Sequence, residues 1–407
     1  MSKDQQNLLV ALDIGSAKTF ALVAEATEAG LRYRGHGVAE SRGSRKGVIV
    51  DLDKAVASIQ RAVEQAEQSA GVQVDHAVVS VGGTHIRGIT SRSGLVFGSK
   101  PREIGREEVR QALDKARSVS LPPDRQVMHL LPQEFILDDQ GAIRDPNGML
   151  AAKLEAQVHM ITAQATVTQS VVTAANRAGV EVTDTVYEGL VAGDCVLKSD
   201  ERELGVVMCD IGAGTTELLV LFEGAVAHSG VVPIGGDHFT NDVAVGLRTP
   251  LAEAEKLKRS FGSAVVTLVP EGNELEVPAV GDRTSKLVSQ RFVAEILEPR
   301  ATELFEHVRD NLRQGGVLEL CAAGSVLTGG GALLANMPQI AEQTLRKPSR
   351  VGLPSPISKM PAQISGPEYS VAIGTILYAH RGRLARNRHA DEGFSSKIRS
   401  FFAKASM

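Results

Sequence analysis

Three glycine-rich turns constrain this chain more than any other feature. They read LLVALDIGSAKT at 8–19, GVVMCDIGAGTTEL at 205–218 and SVLTGGGALL at 325–334. The first two share one design: an apolar β-type run, an aspartate, Ile-Gly, a small residue, then hydroxyl residues. An apolar run ending in Asp-x-Gly reads as a buried strand that turns sharply at its carboxyl end. Glycine is required where backbone amides approach an anion closely or φ is positive. Asp13 and Asp210 lie 197 positions apart, each placed to hold a divalent cation through water beside phosphates. The third turn, the triplet Gly329, Gly330 and Gly331, lets a flat nucleoside lie against backbone. One such turn is ordinary strand–loop punctuation. The repeated pair with the triplet points to a phosphate-bearing ligand between two related halves.

At 407 residues the chain is too long for a single core, so two or more domains are expected. A net charge of -4, with no basic patch interleaved with aromatics, argues against general nucleic-acid affinity. Cys195, Cys209 and Cys321 are scattered in apolar stretches without metal-ligand spacing, which predicts buried free thiols in a reducing compartment. The polar opening Met1–Asn7 is unlike a secretory signal, and no apolar run reaches the roughly 18–20 residues of a membrane span. A cytosolic protein is expected unless something else ties it to a membrane.

The chain opens as an α/β unit. Strands are expected at Ala21–Ala26, Arg32–Glu40 and Ala77–Val81, with a helix near Leu52–Ala70. Residues 85–160 read differently, as short strands with a charged helix at Arg106–Ser118, and predict an inserted subdomain. The α/β rhythm resumes with helices near Thr168–Ala178 and Gly189–Leu197 around a strand at Glu181–Tyr187. Residues 250–315 form a polar, helix-rich insert; the fold returns at Ser325 and is expected to finish near Ala379. The two Asp-Ile-Gly units thus head two similar halves, a duplication at the level of topology. Residues 381–393 read as a basic, structureless linker.

The two Asp-Ile-Gly turns and the glycine triplet, in this order, resemble the two phosphate motifs and the adenosine motif of the actin-like ATPase superfamily. The stretches VALDIGSAKT, GVIVDLDKAVASI, HAVVSVGGTHI, GGDHFTNDVAVGL and AEILEPRATEL are similar, within it, to the FtsA family of bacterial cell-division proteins. The resemblance covers nearly the whole chain. It implies an α/β, actin-like duplicated ATPase fold, with two ribonuclease-H-like halves around a nucleotide cleft. It divides the chain into subdomain 1A (1–84), an inserted subdomain 1C (85–162), 2A (163–245), 2B (246–315) and a return to 2A and 1A (316–380). A flexible linker (381–392) and an amphipathic membrane-targeting helix (393–407) follow.

The same resemblance implies ATP and Mg2+ as ligands, and it assigns residues by position. Asp13, Gly15, Ser16, Lys18 and Thr19 meet the phosphates from one side, and Asp210, Gly212, Gly214, Thr215 and Thr216 from the other. Glu255 and Lys258 approach the ribose and base, while Gly329, Gly330 and Gly331 bed the adenosine. Lys18 is a compact cation suited to a phosphate, and Asp13 and Asp210 hold Mg2+ through water. Taken without the resemblance, Glu255 and Lys258 read as a solvated i,i+3 pair on a helix. Glu188 has two readings: a carboxylate that orients or deprotonates the attacking water, or a surface carboxylate.

The end of the chain, GFSSKIRSFFAKASM, places Phe394, Ile398, Phe401, Phe402 and Ala405 on one helical face, with Lys397, Arg399 and Lys404 around it. Such a segment lies in a bilayer interface. Each large apolar side chain contributes roughly 1.5–3 kcal/mol when fully buried, and each cation about 1 kcal/mol near anionic lipid. The other reading is a helix packed on the protein's own core or in a partner's groove. The resemblance further implies binding of the acidic C-terminal tail of FtsZ, with Lys286 and Arg300 as the basic contacts on 2B. It also implies head-to-tail filaments of the chain with itself, contact with anionic lipids and downstream division proteins, and a place on the cytoplasmic face of the membrane at the division site. Hydrolysis is expected to be slow at most. Two alternatives stand beside this reading: a PilM-like pilus assembly scaffold, and a sugar or acetate kinase of the same superfamily.

Overall fold

Two five-stranded sheets with the same strand order organise the chain. The computed structural model describes residues 7–280 and 285–390. In the first sheet Leu8–Ile14 lies at the centre, antiparallel to Lys18–Thr27, which pairs with Gly30–Glu40; on its other side follow the parallel strands His76–Val81 and Glu181–Tyr187. In the second, Val206–Ile211 takes the centre, with Thr216–Phe222 and Ala225–Val232 antiparallel on one side and Ser325–Thr328 and Ser349–Val351 parallel on the other. The duplication is exact to the residue at the turns, since Ile14 pairs with Thr19 and Ile211 with Thr216. Both central strands are buried along their whole length, which explains their unbroken apolar runs.

The first connecting helix buries one face. Leu52–Ala70 starts at Asp51, whose carboxylate accepts from the Lys54 amide at 3.2 Å, and stops at Gly71, which adopts a φ of 68°. Its buried residues Ala55, Ile59, Ala62, Val63 and Ala66 follow the helical period. Helices Leu251–Phe261 and Gln290–Gln314 lie in the stretch expected to be helix-rich. Cys195, Cys209 and Cys321 are buried and unpaired.

The inserted segment has its own sheet and core. Its principal strands, Arg87–Val96, Arg125–Leu137 and Lys153–Gln164, are 10, 13 and 12 residues long, longer than the short strands expected. Helix Arg106–Arg117 packs on them over Leu113, Phe135, Leu154 and Met160. The segment then docks on Ala225–Val232, the edge strand of the second sheet. Gln133 Nε2 donates to the carbonyl oxygens of Val226 (2.8 Å) and Ala227 (3.2 Å), and His159 Nε2 lies 2.8 Å from Ser229 Oγ. An otherwise open sheet edge is covered in this way.

One expectation is overturned. Residues 381–392 are not a structureless linker as far as Ala390, because the last helix runs Ser370–Ala390 without a break. Tertiary contacts hold it: Arg381 pairs with the buried carboxylate of Asp194, which also takes Arg202 at 3.0 Å, and Arg383 donates to Asn7. Among the described residues no helix is long and apolar enough to cross a membrane.

Candidate nucleotide site

The two Asp-Ile-Gly turns are built alike and face each other. Each is closed by one backbone bond, Gly15 N–H to the Lys18 carbonyl at 3.1 Å and Gly212 N–H to the Thr215 carbonyl at 2.9 Å. A Cβ on Gly214 would stand 3.0 Å from Ser16 Oγ, so the second turn touches the first across the gap between the halves. Glycine is what permits that approach. The amides that open helix Gly236–Leu247 are tied to the same turn, Gly236 N–H to the Gly212 carbonyl (2.9 Å) and Asp237 N–H to the Ala213 carbonyl (2.8 Å). A helix N-terminus beside a glycine turn is a favourable place for an anion.

Four carboxyl groups converge behind these turns. Asp13 accepts from Ser80 Oγ at 3.1 Å. Glu217 accepts from the Gly83 amide (2.9 Å), the Thr215 hydroxyl (3.1 Å) and the Tyr187 phenol (3.1 Å). Glu188, the first residue of helix Glu188–Val196, lies against Gly82, where a Cβ would come within 2.1 Å of its Oε2. Burial raises the pKa of all four. Asp210 is pushed to about 7, with Glu217 and Asp13 adding to the effect, and Glu217 is pushed to about 7. Glu188 is raised well above the ordinary carboxylate range by burial and then by Asp13, Glu217 and Asp210. Asp13 is raised by burial, with Lys18 and the Ser80 hydrogen bond acting against the rise. Crowded carboxylates deprived of water favour either protons or a cation.

Lys18 is the cation that faces them. Burial lowers its pKa, and its ammonium rests over the Tyr369 ring, 3.6 Å from the centroid. The donor set fits a hydrated divalent cation: carboxylates in excess of the facing positive charge, supplied by Asp13 and Asp210 from opposite halves. Thr19 and Thr216, expected on the phosphates, are fully buried; the Thr19 hydroxyl lies 2.8 Å from Ser41 Oγ and that of Thr216 donates to the Ile234 carbonyl at 2.8 Å. They brace the turns.

The glycine triplet follows strand Ser325–Thr328 and abuts Asp210. Gly329 has a φ of 80°, and a Cβ there would stand 2.3 Å from Asp210 Oδ1; at Gly331 it would stand 2.2 Å from Ile211 Cγ2. Gly330 is open by comparison, its nearest neighbour being Glu368 Cβ at 3.8 Å. Glu255 and Lys258 pair at 2.6 Å, and Lys258 also donates to the Gly236 carbonyl (3.1 Å) and the Thr240 hydroxyl (2.9 Å). They join helix Leu251–Phe261 to the helix N-terminus beside the second turn, half-buried rather than free in solvent.

The remaining assigned residues lie elsewhere. Lys286 is exposed on strand Lys286–Ser289. Arg300 is engaged by Asp242, through Nε at 2.6 Å and Nη2 at 3.1 Å, and by Glu303. Phe394, Ile398, Phe401, Phe402, Lys397, Arg399 and Lys404 lie outside the described residues. Residues that sequence reasoning passed over complete the site: Glu217, Tyr187, Ser80 and Tyr369.

Comparison with known proteins gives a consistent outcome. A family model described as "Cell division protein FtsA" matches residues 207–374, and one described as "SHS2 domain inserted in FTSA" matches 83–162. The chain is 39% identical to the cell division protein FtsA of Pseudomonas aeruginosa, over 91% of this chain and 89% of that one. It is 34% identical to FtsA of Escherichia coli strain K12, covering 98% and 96% of the two chains. Among solved structures it resembles the PilM–PilN type IV pilus biogenesis complex, with a TM-score of 0.65 at 16% identity over 91% of this chain and 98% of that one. It also resembles MreB5 of Spiroplasma citri bound to ADP, with a TM-score of 0.56 at 16% identity over 96% and 100%. At such identities the structural likeness shows the fold alone, which is actin-like.

Proposed function

The chain belongs to the FtsA family of actin-like cell division proteins, and from that premise we propose that it binds ATP between its halves and tethers FtsZ filaments to the cytoplasmic membrane. The observation that carries the first part is the pair of similarly built glycine turns meeting at Gly214 and Ser16, with Asp13 and Asp210 behind them. The MreB5 neighbour, bound to ADP, supports a nucleotide in a cleft of this fold. Asp13 and Asp210 hold Mg2+ through water in this reading, and Mg2+ supplies charge neutralisation of the phosphate oxygens. Lys18, resting over the Tyr369 ring, would be the cation offered to a phosphate. Burial, and after it Asp13, Glu217 and Asp210, raise the pKa of Glu188 well above the carboxylate range, which makes it less available as a base and favours slow hydrolysis and a role as an assembly switch for head-to-tail filaments. The family match favours this reading over a PilM-like scaffold, since PilM is a neighbour in fold only.

Membrane tethering rests on the amphipathic pattern of residues 393–407. Deleting residues 391–407 removes the pattern and leaves helix Ser370–Ala390 intact. The expected result is loss of co-sedimentation with anionic liposomes; unchanged binding overturns the anchor. Multivalency makes the effect largest under conditions that favour filaments.

For the FtsZ tail, Lys286 and Arg300 offer unequal tests. Lys286→Glu reverses an exposed charge and is expected to weaken binding of an acidic tail peptide severalfold, with no change in melting. Arg300→Glu sets a carboxylate against Asp242 and Glu303, so it also loosens the contact of helix Gln290–Gln314 with Gly236–Leu247. Wild-type peptide affinity in Lys286→Glu overturns the placement of the tail there. Downstream division proteins are partners in the same reading.

A further inference from the structure

Between strand Gly30–Glu40 and helix Leu52–Ala70 the chain makes a small hairpin, Ser44–Arg45 against Val48–Ile49. Its two turn residues, Lys46 and Gly47, have φ of 51° and 76°. Positive φ at both central positions is the tight hairpin turn that favours Asn-Gly, Asp-Gly or Gly-Gly. Lysine at the first position is strained, and strain of this kind is retained where the surrounding structure or a function requires the side chain.

The tip of this hairpin is wedged between the halves. On one side a Cβ at Gly83 would stand 2.6 Å from the Lys46 carbonyl oxygen; on the other a Cβ at Gly214 would stand 2.9 Å from Lys46 Cα. Lys46 thus lies against the second phosphate turn while belonging to the first half. Its ammonium makes one marginal contact, 3.5 Å to the Pro233 carbonyl, and no carboxylate pairs with it among the ion pairs of the described residues. Pro233 stands two residues before the cap of helix Gly236–Leu247, whose first amides bond the same phosphate turn. A lysine in a strained turn, at the mouth of an anion-binding cleft and without a carboxylate partner, has its charge available.

We propose that Lys46 binds the terminal phosphate of a nucleoside triphosphate and that the 44–49 hairpin covers that phosphate, registering its presence across the two halves. The inference rests on the nucleotide reading above. Lys18, at the opposite turn, supplies one cation; Lys46 supplies a second beside Gly214 of the second turn.

The test is calorimetric titration of the full chain with ATP and with ADP in the presence of Mg2+. Lys46→Asn suits the turn at least as well as lysine and removes the charge; Lys46→Arg keeps it. Loss of one charge-assisted phosphate contact is expected to weaken ATP about tenfold, with ADP affinity and melting unchanged and Lys46→Arg close to wild type. Wild-type ATP affinity in Lys46→Asn, equal losses for both nucleotides, or no recovery in Lys46→Arg each overturns the proposal while leaving the nucleotide reading in place. A wild-type chain that binds neither nucleotide overturns the reading itself and this proposal with it.

Discussion

Gly214→Val abolishes nucleotide binding while leaving the melting temperature near that of the wild type; this is the expected result if the two glycine turns form the site. A Cβ at 214 meets Lys46 Cα at 2.9 Å, Lys46 N at 3.0 Å and Ser16 Oγ at 3.0 Å, and valine adds two methyl groups beyond it. All three atoms belong to the opposite half and lie in a turn and a hairpin, so the clash falls at the contact between the turns rather than among the buried strands. Overpacking inside a core costs about 1–3 kcal/mol; at a turn-to-hairpin contact outside the core, most of that cost is avoided. Binding is not spared, because phosphates must be gripped from both sides at once. A displacement of about 1 Å at a positioned site costs on the order of 100-fold. Gly382→Ala is the control: its Cβ meets nothing within 4 Å, in helix Ser370–Ala390 and outside both turns, and affinity stays near wild type. Wild-type ATP affinity in Gly214→Val, measured by titration, removes the cleft as the site.

What the sequence revealed of this arrangement follows from what recurs locally. The two Asp-Ile-Gly turns were legible because strand, aspartate and glycine are contiguous, and their repetition exposed the duplicated sheets. Glu217 was not read, although a signal existed. Opposite Asp13 the first half has Phe20, whereas opposite Asp210 the second half has Glu217. Laying one half on the other shows a carboxylate where its counterpart is aromatic, and that asymmetry marks a buried charge in need of a role. Tyr187 and Tyr369 gave no such signal, since their positions follow from how strands and helices meet rather than from spacing. The misreading of 381–390 has the same origin. A run of arginines looks solvated until Asp194 and Asn7, distant in sequence, are seen to receive Arg381 and Arg383. The ion pair of Arg300 was hidden for the same reason, because Asp242 lies 58 positions away.

Acid is expected to loosen the inserted subdomain from the second half before either half unfolds. His159 is fully buried between Thr90 and Ser229, beside His228, and burial holds its pKa down at about 3. His85, at the root of the insert, is held at about 4 by burial and by Arg125 and Arg87, with neither ring nitrogen hydrogen-bonded. Above the unfolded value of 6.5 each ring is neutral in both states, and the contribution to stability is fully present. As pH falls below 6.5 the unfolded chain takes up a proton that the folded chain refuses, so stability declines until the folded value is reached. For His159 alone that amounts to about 2 kcal/mol at pH 5. Asp210 and Glu217 act in the opposite sense, since their raised values make the folded chain gain stability as pH falls from about 7. A simple pH profile therefore mixes the two. Comparing wild type with His159→Gln in urea at pH 7 and pH 5 cancels the carboxylates, and the stability difference is expected to shift by about 2 kcal/mol in favour of the variant at pH 5. Amide exchange in strand Ala225–Val232, where Gln133 and His159 dock, should rise first in the wild type at low pH. A pH-independent difference between the two proteins would show that His159 is not held neutral by the docked insert.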